Sequence, residues 1–230
     1  MSKPTAILIF AQDVSQEISR KNLAPRSNQG ANRQVFRQLN SFVGRTCSST
    51  NLPVFYSNQL ITNNTNAFGK QLSEAIQVVL DKGFEKIICV GNDCPALHKT
   101  QILEAAEKLQ TVDSVIGPDE RGGVYLLGIS KDTFNAEIFE TIAWQSKNML
   151  ESYFRLFPQQ SVSLVETLAD IHTFKELQTY TSSRYFIVFL LQIIEKLTSK
   201  IAYLYTYLFD SQLVRHSSLR GPPAVFGISF

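Results

Sequence analysis

The segment Lys86-Ile87-Ile88-Cys89-Val90-Gly91-Asn92-Asp93-Cys94-Pro95 decides the fold. A short apolar, β-branched run ends in a glycine and then a carboxylate. That pattern describes a buried strand delivering one acid to the end of a sheet. In open α/β sheets, ligands bind outside the carboxyl ends of the strands. An acid at that place is positioned to hold a divalent cation on a phosphate-bearing substrate. The plainer alternative has Asp93 capping the turn or helix that follows, as many Asp residues after strands do. The spacing leaves both open.

Outward from this segment, strand and helix patterns alternate. Strands are predicted over residues 5–11, 53–56, 86–90, 114–117 and 124–129, and helices over 32–45, 69–82 and 100–109. The helix over 69–82 has the apolar face Leu72, Ala75, Ile76, Val79 and Leu80, with Gly83 as its stop signal. Such alternation implies a three-layer α/β/α sandwich with a mostly parallel sheet. Residues 12–29 are polar and irregular, contain Pro25, and read as a long loop. That loop leaves the first strand at the same sheet edge as Asp93. It carries Arg20, Lys21 and Arg26, which suit phosphate contacts or, equally, a solvated surface.

A second informative stretch is Gly117-Pro118-Asp119-Glu120-Arg121-Gly122-Gly123-Val124-Tyr125-Leu126-Leu127-Gly128. Its glycine pair lets backbone approach a ligand closely, or simply closes a β-hairpin. The chain has 230 residues, enough for one sizeable domain and an appendage. A net charge of +2 without a Lys/Arg stripe argues against a nucleic-acid partner. Cys47, Cys89 and Cys94 show no metal-binding spacing, so a reduced, cytoplasmic compartment is the simpler expectation. The opening Met1-Ser2-Lys3-Pro4 runs straight into a strand pattern, and no signal peptide is expected.

These residues carry a resemblance. Phe10-Ala11, Leu23-Ala24-Pro25, Phe68-Gly69, Gly91-Asn92-Asp93-Cys94-Pro95-Ala96-Leu97, Gly117-Pro118 with Gly122-Gly123-Val124-Tyr125-Leu126-Leu127-Gly128, Trp144-Gln145-Ser146, and Leu168-Ala169-Asp170-Ile171-His172-Thr173 occur in order. In that order they resemble an uncharacterised bacterial transferase family with a glycosyltransferase-A-like fold. Its members carry the label of radical-SAM/selenodomain-associated transferases, and they are similar to nucleotide-diphospho-sugar transferases. The resemblance implies a nucleotide or nucleotide-sugar donor, a divalent metal (Mg or Mn) at Asp93, and group transfer from that donor. It implies Arg20 and Lys21 on phosphates, with Asn92, Asp119, Gly122, Gly123, Tyr125 and Trp144 around the substrate. Trp144 is either a pocket wall, stacking on a base or sugar, or a plain core residue. Asp170 and His172 are the further metal-ligand candidates, His172 through a neutral ring nitrogen.

The chain also departs from that family. The family's Pro-Gly in the first loop is Gln16-Glu17 here, and its Lys-Thr-Arg is Arg20-Lys21-Asn22. Its Asp before Gly-Gly is Arg121, which reverses charge beside the expected site, and its second closing Asp is His172. Two functions follow. One is a metal-dependent nucleotidyl- or glycosyl-type transferase. The other is a catalytically weakened member that binds a nucleotide or a protein partner through the same scaffold.

The tail differs in character. The transferase-like domain is expected over 1–181, and residues 182–230 form a helical extension with an extended arm. Ile187, Leu190, Ile194, Leu197, Ile201, Leu204 and Leu208 recur at alternating steps of three and four. Isoleucine at most a positions with leucine at d suits a two-stranded coiled coil. The helix packs on its own domain, pairs two copies as a homodimer, or lies on a membrane surface. It is not expected to span a membrane, because Glu195, Lys196 and Lys200 interrupt the apolar run. Pro222-Pro223 mark residues 217–230 as the extended arm.

Overall fold

The computed structural model describes residues 4–61, 67–157 and 161–217, with side chains as far as Lys200. The expected extended arm lies, from residue 218 on, outside the described residues. In chain order the first elements are β1 (Thr5–Ile9), α1 (Val14–Arg20), α2 (Gln29–Ser48), β2 (Val54–Tyr56) and α3 (Ser57–Leu60). Next come α4 (Phe68–Leu80), β3 (Lys86–Val90), α5 (Lys99–Lys108), β4 (Ser114–Pro118) and β5 (Val124–Ser130). The last are α6 (Ala136–Thr141), α7 (Met149–Leu156), β6 (Val162–Leu164), α8 (Phe174–Thr179) and α9 (Arg184–Ser217).

The strands form one sheet in the order β2-β1-β3-β5-β4-β6. Pairing is parallel for β1 with β2, β1 with β3, and β4 with β6, whereas β5 runs antiparallel to both β3 and β4. The sheet is thus mostly parallel with one reversed strand.

β3 is buried throughout because both its faces are covered. Ile87 and Cys89 join a core with Ala6, Leu8 and the α4 residues Leu72, Ile76 and Val79. Ile88 and Val90 point the other way, into a core with Val43 and Cys47 of α2 and Ile102 and Ala105 of α5. Alternate side chains of one strand therefore bind two helical layers to the sheet.

α2 is buried on two sides. Its outer residues Val35, Phe36 and Leu39 pack with Ile187, Leu190 and Ile194 of α9 and Leu177 of α8. The first half of α9 thus packs on its own domain. Phe186 stacks on Phe42 at 4.6 Å, and Asn28 donates to Thr198 Oγ1 at 3.1 Å, so α9 runs antiparallel to α2. Among the described residues no helix is long and apolar enough to cross a membrane.

The first loop needs correction. Residues 12–29 are not wholly irregular, because Val14–Arg20 is helical. α2 also starts earlier than expected. Asn28 is its N-cap, its side-chain oxygen accepting from Ala31 N at 2.9 Å.

Candidate functional site

The strand ends of β1 and β3, the helix α1, the β4–β5 turn and the segments 144–149 and 170–172 surround one cleft of about 490 Å³. That volume suits a small-molecule ligand. Arg20, Lys21, Asn92, Asp93 and Asp119 line it, as do Gly123, Tyr125, Trp144, Asp170 and His172. Gly122 does not. Its φ of 87° closes the turn, and a Cβ there would lie 2.7 Å from the Lys147 carbonyl oxygen, so glycine is needed for backbone fit.

Asp93 stands three residues past the end of β3. Its carbonyl accepts from Ile171 N at 2.8 Å, which draws the chain at 170–172 against it. One potential ligand atom from each of Asp93, Asp170 and His172 lies within 4.8 Å of the other two. Asp170 Oδ1 is buried and has no hydrogen-bond partner among the described residues. Burial, then the neighbouring Asp93 charge, raises the Asp170 carboxyl well above its ordinary range. Burial, then Lys21, lowers the pKa of His172 and favours the neutral ring that ligates metals. Two carboxylates, one with an orphaned buried oxygen, and one imidazole fit a divalent cation.

Lys21 stands at the C-cap of α1, and its ammonium pairs with Asp93 Oδ2. Burial pulls the pKa of Lys21 down, but the attraction of and hydrogen bond to Asp93, joined by the charges of Glu17 and Asp170, together outweigh it and the net shift is upward. Beside it is Glu17, which sequence reasoning did not single out. Its carboxylate is buried and accepts from Gln12 N and from Asn92 Nδ2, each at 3.3 Å. Asn92 Nδ2 also donates to Asn40 Oδ1 at 2.7 Å, so the Asn92 amide braces α1 and α2. Burial raises the Glu17 carboxyl above its ordinary value. The signal for Glu17 was present, a Glu–Lys pair at i,i+4 within the supposed loop.

The glycine-rich stretch is both of the things it resembled. It is the β4–β5 hairpin turn, and it lines the cleft. Asp119 Oδ1 accepts from Arg121 N at 2.7 Å and Gly123 N at 2.8 Å, so one oxygen of Asp119 fixes the turn. Arg121 points toward α8 and pairs with Glu176 Oε1 at 2.7 Å. The other Glu176 oxygen accepts from His172 N at 2.8 Å and Thr173 N at 3.2 Å, holding His172 in place. Tyr125 is buried, and its hydroxyl donates to the Glu166 carbonyl at 2.7 Å. Trp144 donates through Nε1 to the Phe139 carbonyl at 2.6 Å. Its ring sits 5.8 Å from Phe68 and 5.7 Å from Phe139, so it is core on one side and cleft wall on the other.

Comparison with known proteins agrees with this architecture. A family model described as an uncharacterised protein conserved in bacteria, DUF2064, matches residues 30–146. The structure of a candidate nucleotide-diphospho-sugar transferase from Desulfovibrio desulfuricans G20 aligns with a TM-score of 0.69 and 18% identity. That alignment covers 87% of this chain and 98% of the other. A 4-diphosphocytidyl-2C-methyl-D-erythritol synthase from Anaerococcus prevotii gives a TM-score of 0.48 at 11% identity, over 85% of this chain and 100% of its own. A glucosyl-3-phosphoglycerate synthase from Mycobacterium tuberculosis, solved with Mn²⁺ and UDP, gives 0.40 at 12%, over 84% and 80%. No curated protein matches the chain. The likeness to the Desulfovibrio structure shows the fold alone, which is glycosyltransferase-A-like, as in nucleotide-diphospho-sugar transferases.

Proposed function

We propose, for a chain that belongs to the DUF2064 family of conserved bacterial proteins, that it is a metal-dependent transferase using a nucleotide-activated donor. One observation carries this reading. Asp93, Asp170 and His172 converge within 4.8 Å at a cleft, and a buried oxygen of Asp170 lacks a hydrogen-bond partner among the described residues. These three residues would hold Mg²⁺ or Mn²⁺, which when bound neutralises charge growing on the leaving diphosphate. Arg20 and Lys147, both on the cleft wall, supply fixed positive charge to the same phosphates. Phe10, Phe68 and Trp144 give the apolar wall for a base or sugar. Positioning and electrostatics supply the catalysis, and no covalent nucleophile is needed. The group transferred is a glycosyl or a nucleotidyl unit.

A specific observation favours a second reading, a binding module on the same scaffold. Lys21 already pairs with Asp93 and Arg121 with Glu176, so two charges at the site are neutralised internally. Thermal stability against nucleoside triphosphates and nucleotide sugars, with and without Mn²⁺, separates the readings. A ligand at about a hundred times its dissociation constant adds roughly 2.7 kcal/mol. The transferase requires a Mn²⁺-dependent shift that Asp93→Asn abolishes. A shift indifferent to both would leave the binding module.

The same reading assigns donor binding to residues 1–181 and treats 182–230 as an extension that pairs two copies in a cytoplasmic homodimer.

A further inference from the structure

We infer that Lys21 is a displaceable internal counter-cation, competing with the divalent metal for Asp93 and moving onto donor phosphate once displaced. The inference rests on the metal-site reading above and adds to it a coupling between metal and nucleotide. Lys21 Nζ meets Asp93 Oδ2, and Asp93 is also one corner of the Asp93–Asp170–His172 cluster. An ammonium and a divalent cation repel each other when both approach one carboxylate, and partial burial weakens the solvent screening between them.

The backbone around Lys21 is fixed by hydrogen bonds, whereas its ammonium is held by the ion pair to Asp93. Lys21 N donates to Glu17 O at 2.9 Å, Asn32 Nδ2 donates to Lys21 O at 2.9 Å, and Leu23 N donates to Asn32 Oδ1 at 2.8 Å. Two turns of hydrogen bonding thus clamp the chain on either side. The ammonium is a point charge on a four-carbon stem and can swing from this anchor. Glu17, four residues earlier on the same helix, attracts it as well and keeps it at the cleft after it leaves Asp93. There, beside Arg20, it faces the space assigned to the donor diphosphate. Metal entry therefore releases the residue that grips phosphate, and phosphate in turn removes the metal's competitor. Such coupling is reciprocal by thermodynamic necessity.

The test is Mn²⁺ binding to the full chain, followed by the electron paramagnetic resonance of free Mn²⁺, with and without a nucleoside diphosphate. Wild type, Lys21→Met and Lys21→Gln are compared, each checked for an intact thermal transition. Without nucleotide the variants should bind Mn²⁺ about tenfold more tightly than wild type, and nucleotide should enhance Mn²⁺ binding less in them than in wild type. Equal Mn²⁺ affinity in wild type and variants would overturn the competition while leaving the metal site standing. Absence of Mn²⁺ binding in all three would overturn the metal site and the inference together. Should both variants fail to fold, wild-type Lys21 remains informative. Its acylation, quantified by mass spectrometry, should rise on adding Mn²⁺ and fall again with nucleoside diphosphate. Labelling unmoved by Mn²⁺ in a protein that binds the ion would reject the idea.

Discussion

Ile171 N donates to the carbonyl oxygen of Asp93 at 2.8 Å, and this backbone bond sets residues 170 and 172 beside the Asp93 side chain. Two carboxylates, Asp93 and Asp170, are thereby held with oxygens within 4.8 Å of each other. Burial and the charge of Asp93 make the ionised form of Asp170 unfavourable. In the presence of EDTA, Asp170→Asn should raise the thermal midpoint, because it removes a buried like charge. About 1 kcal/mol corresponds to roughly 2–4 °C for a chain of this size. Added Mn²⁺ should raise the wild-type midpoint and leave that of the variant unchanged. A variant less stable than wild type in EDTA would mean that Asp170 is held by an interaction other than the proposed metal.

Glu17 gives a pH prediction. Burial raises its folded carboxyl above the ordinary 4.5. The folded protein therefore binds this proton more tightly than the unfolded chain does. The group's contribution is fully present below the unfolded value and is lost as pH rises through the folded one. Glu17→Gln keeps an acceptor for Gln12 N and Asn92 Nδ2 while removing the ionisation. The variant should melt higher than wild type at pH 8, with the gap closing toward pH 4.5. Parallel midpoints across that range would show that Glu17 stays ionised without cost.

Much of this architecture was legible because apolar period sets it. The β3 run and the face of α4 were read directly, since burial on two faces leaves few alternatives for Ile87, Ile88, Ile76 and Val79. α1 was not legible, because one of its inward residues is a carboxylate, Glu17, and its hydrogen bonds go to partners distant in sequence such as Asn92. The convergence of Asp170 and His172 on Asp93 depends on one long-range backbone bond, which no local pattern encodes. Trp144 was ambiguous for a physical reason. Its ring has a face in each environment, while its N–H is satisfied locally by Phe139.

A Cβ on Gly69 would stand 2.6 Å from Trp144 Cδ1 and 2.9 Å from its Nε1. Gly69→Ala should therefore push the indole toward the cleft and cost about 1–3 kcal/mol by overpacking. Trp144 is the sole tryptophan, so its fluorescence reports the site directly. Emission should shift to the red, and the midpoint should fall. An unshifted spectrum with an unchanged midpoint would show that the indole has room to retreat.

Cys47, Cys89 and Cys94 are all buried, and desolvation pushes Cys47 up to about 12 and raises the other two as well. The thiolate is the reactive form. A disulfide reagent at pH 8 should find no fast-reacting thiol in the native chain and three after denaturation. Rapid reaction of one thiol in the folded protein would mark a local opening.

The last prediction concerns α9. Ile187, Leu190 and Ile194 lie against α2, and Thr198 meets Asn28, the N-cap of that helix. The helix continues to Ser217, past the place where α2 begins. In the sequence, Ile201, Leu204 and Leu208 continue the same three-and-four spacing there. The two halves of the stripe should therefore respond differently to truncation. Ending the chain after Lys200 should turn the proposed dimer into a monomer and leave the thermal midpoint of the domain in place. Ending it after Thr181 removes three buried side chains, each worth about 1.5–3 kcal/mol, and should destabilise the domain severely. Light scattering on the full chain and both truncations decides the matter. A full chain that is monomeric at high concentration would exclude the dimer and leave the second half of α9 without the role proposed for it.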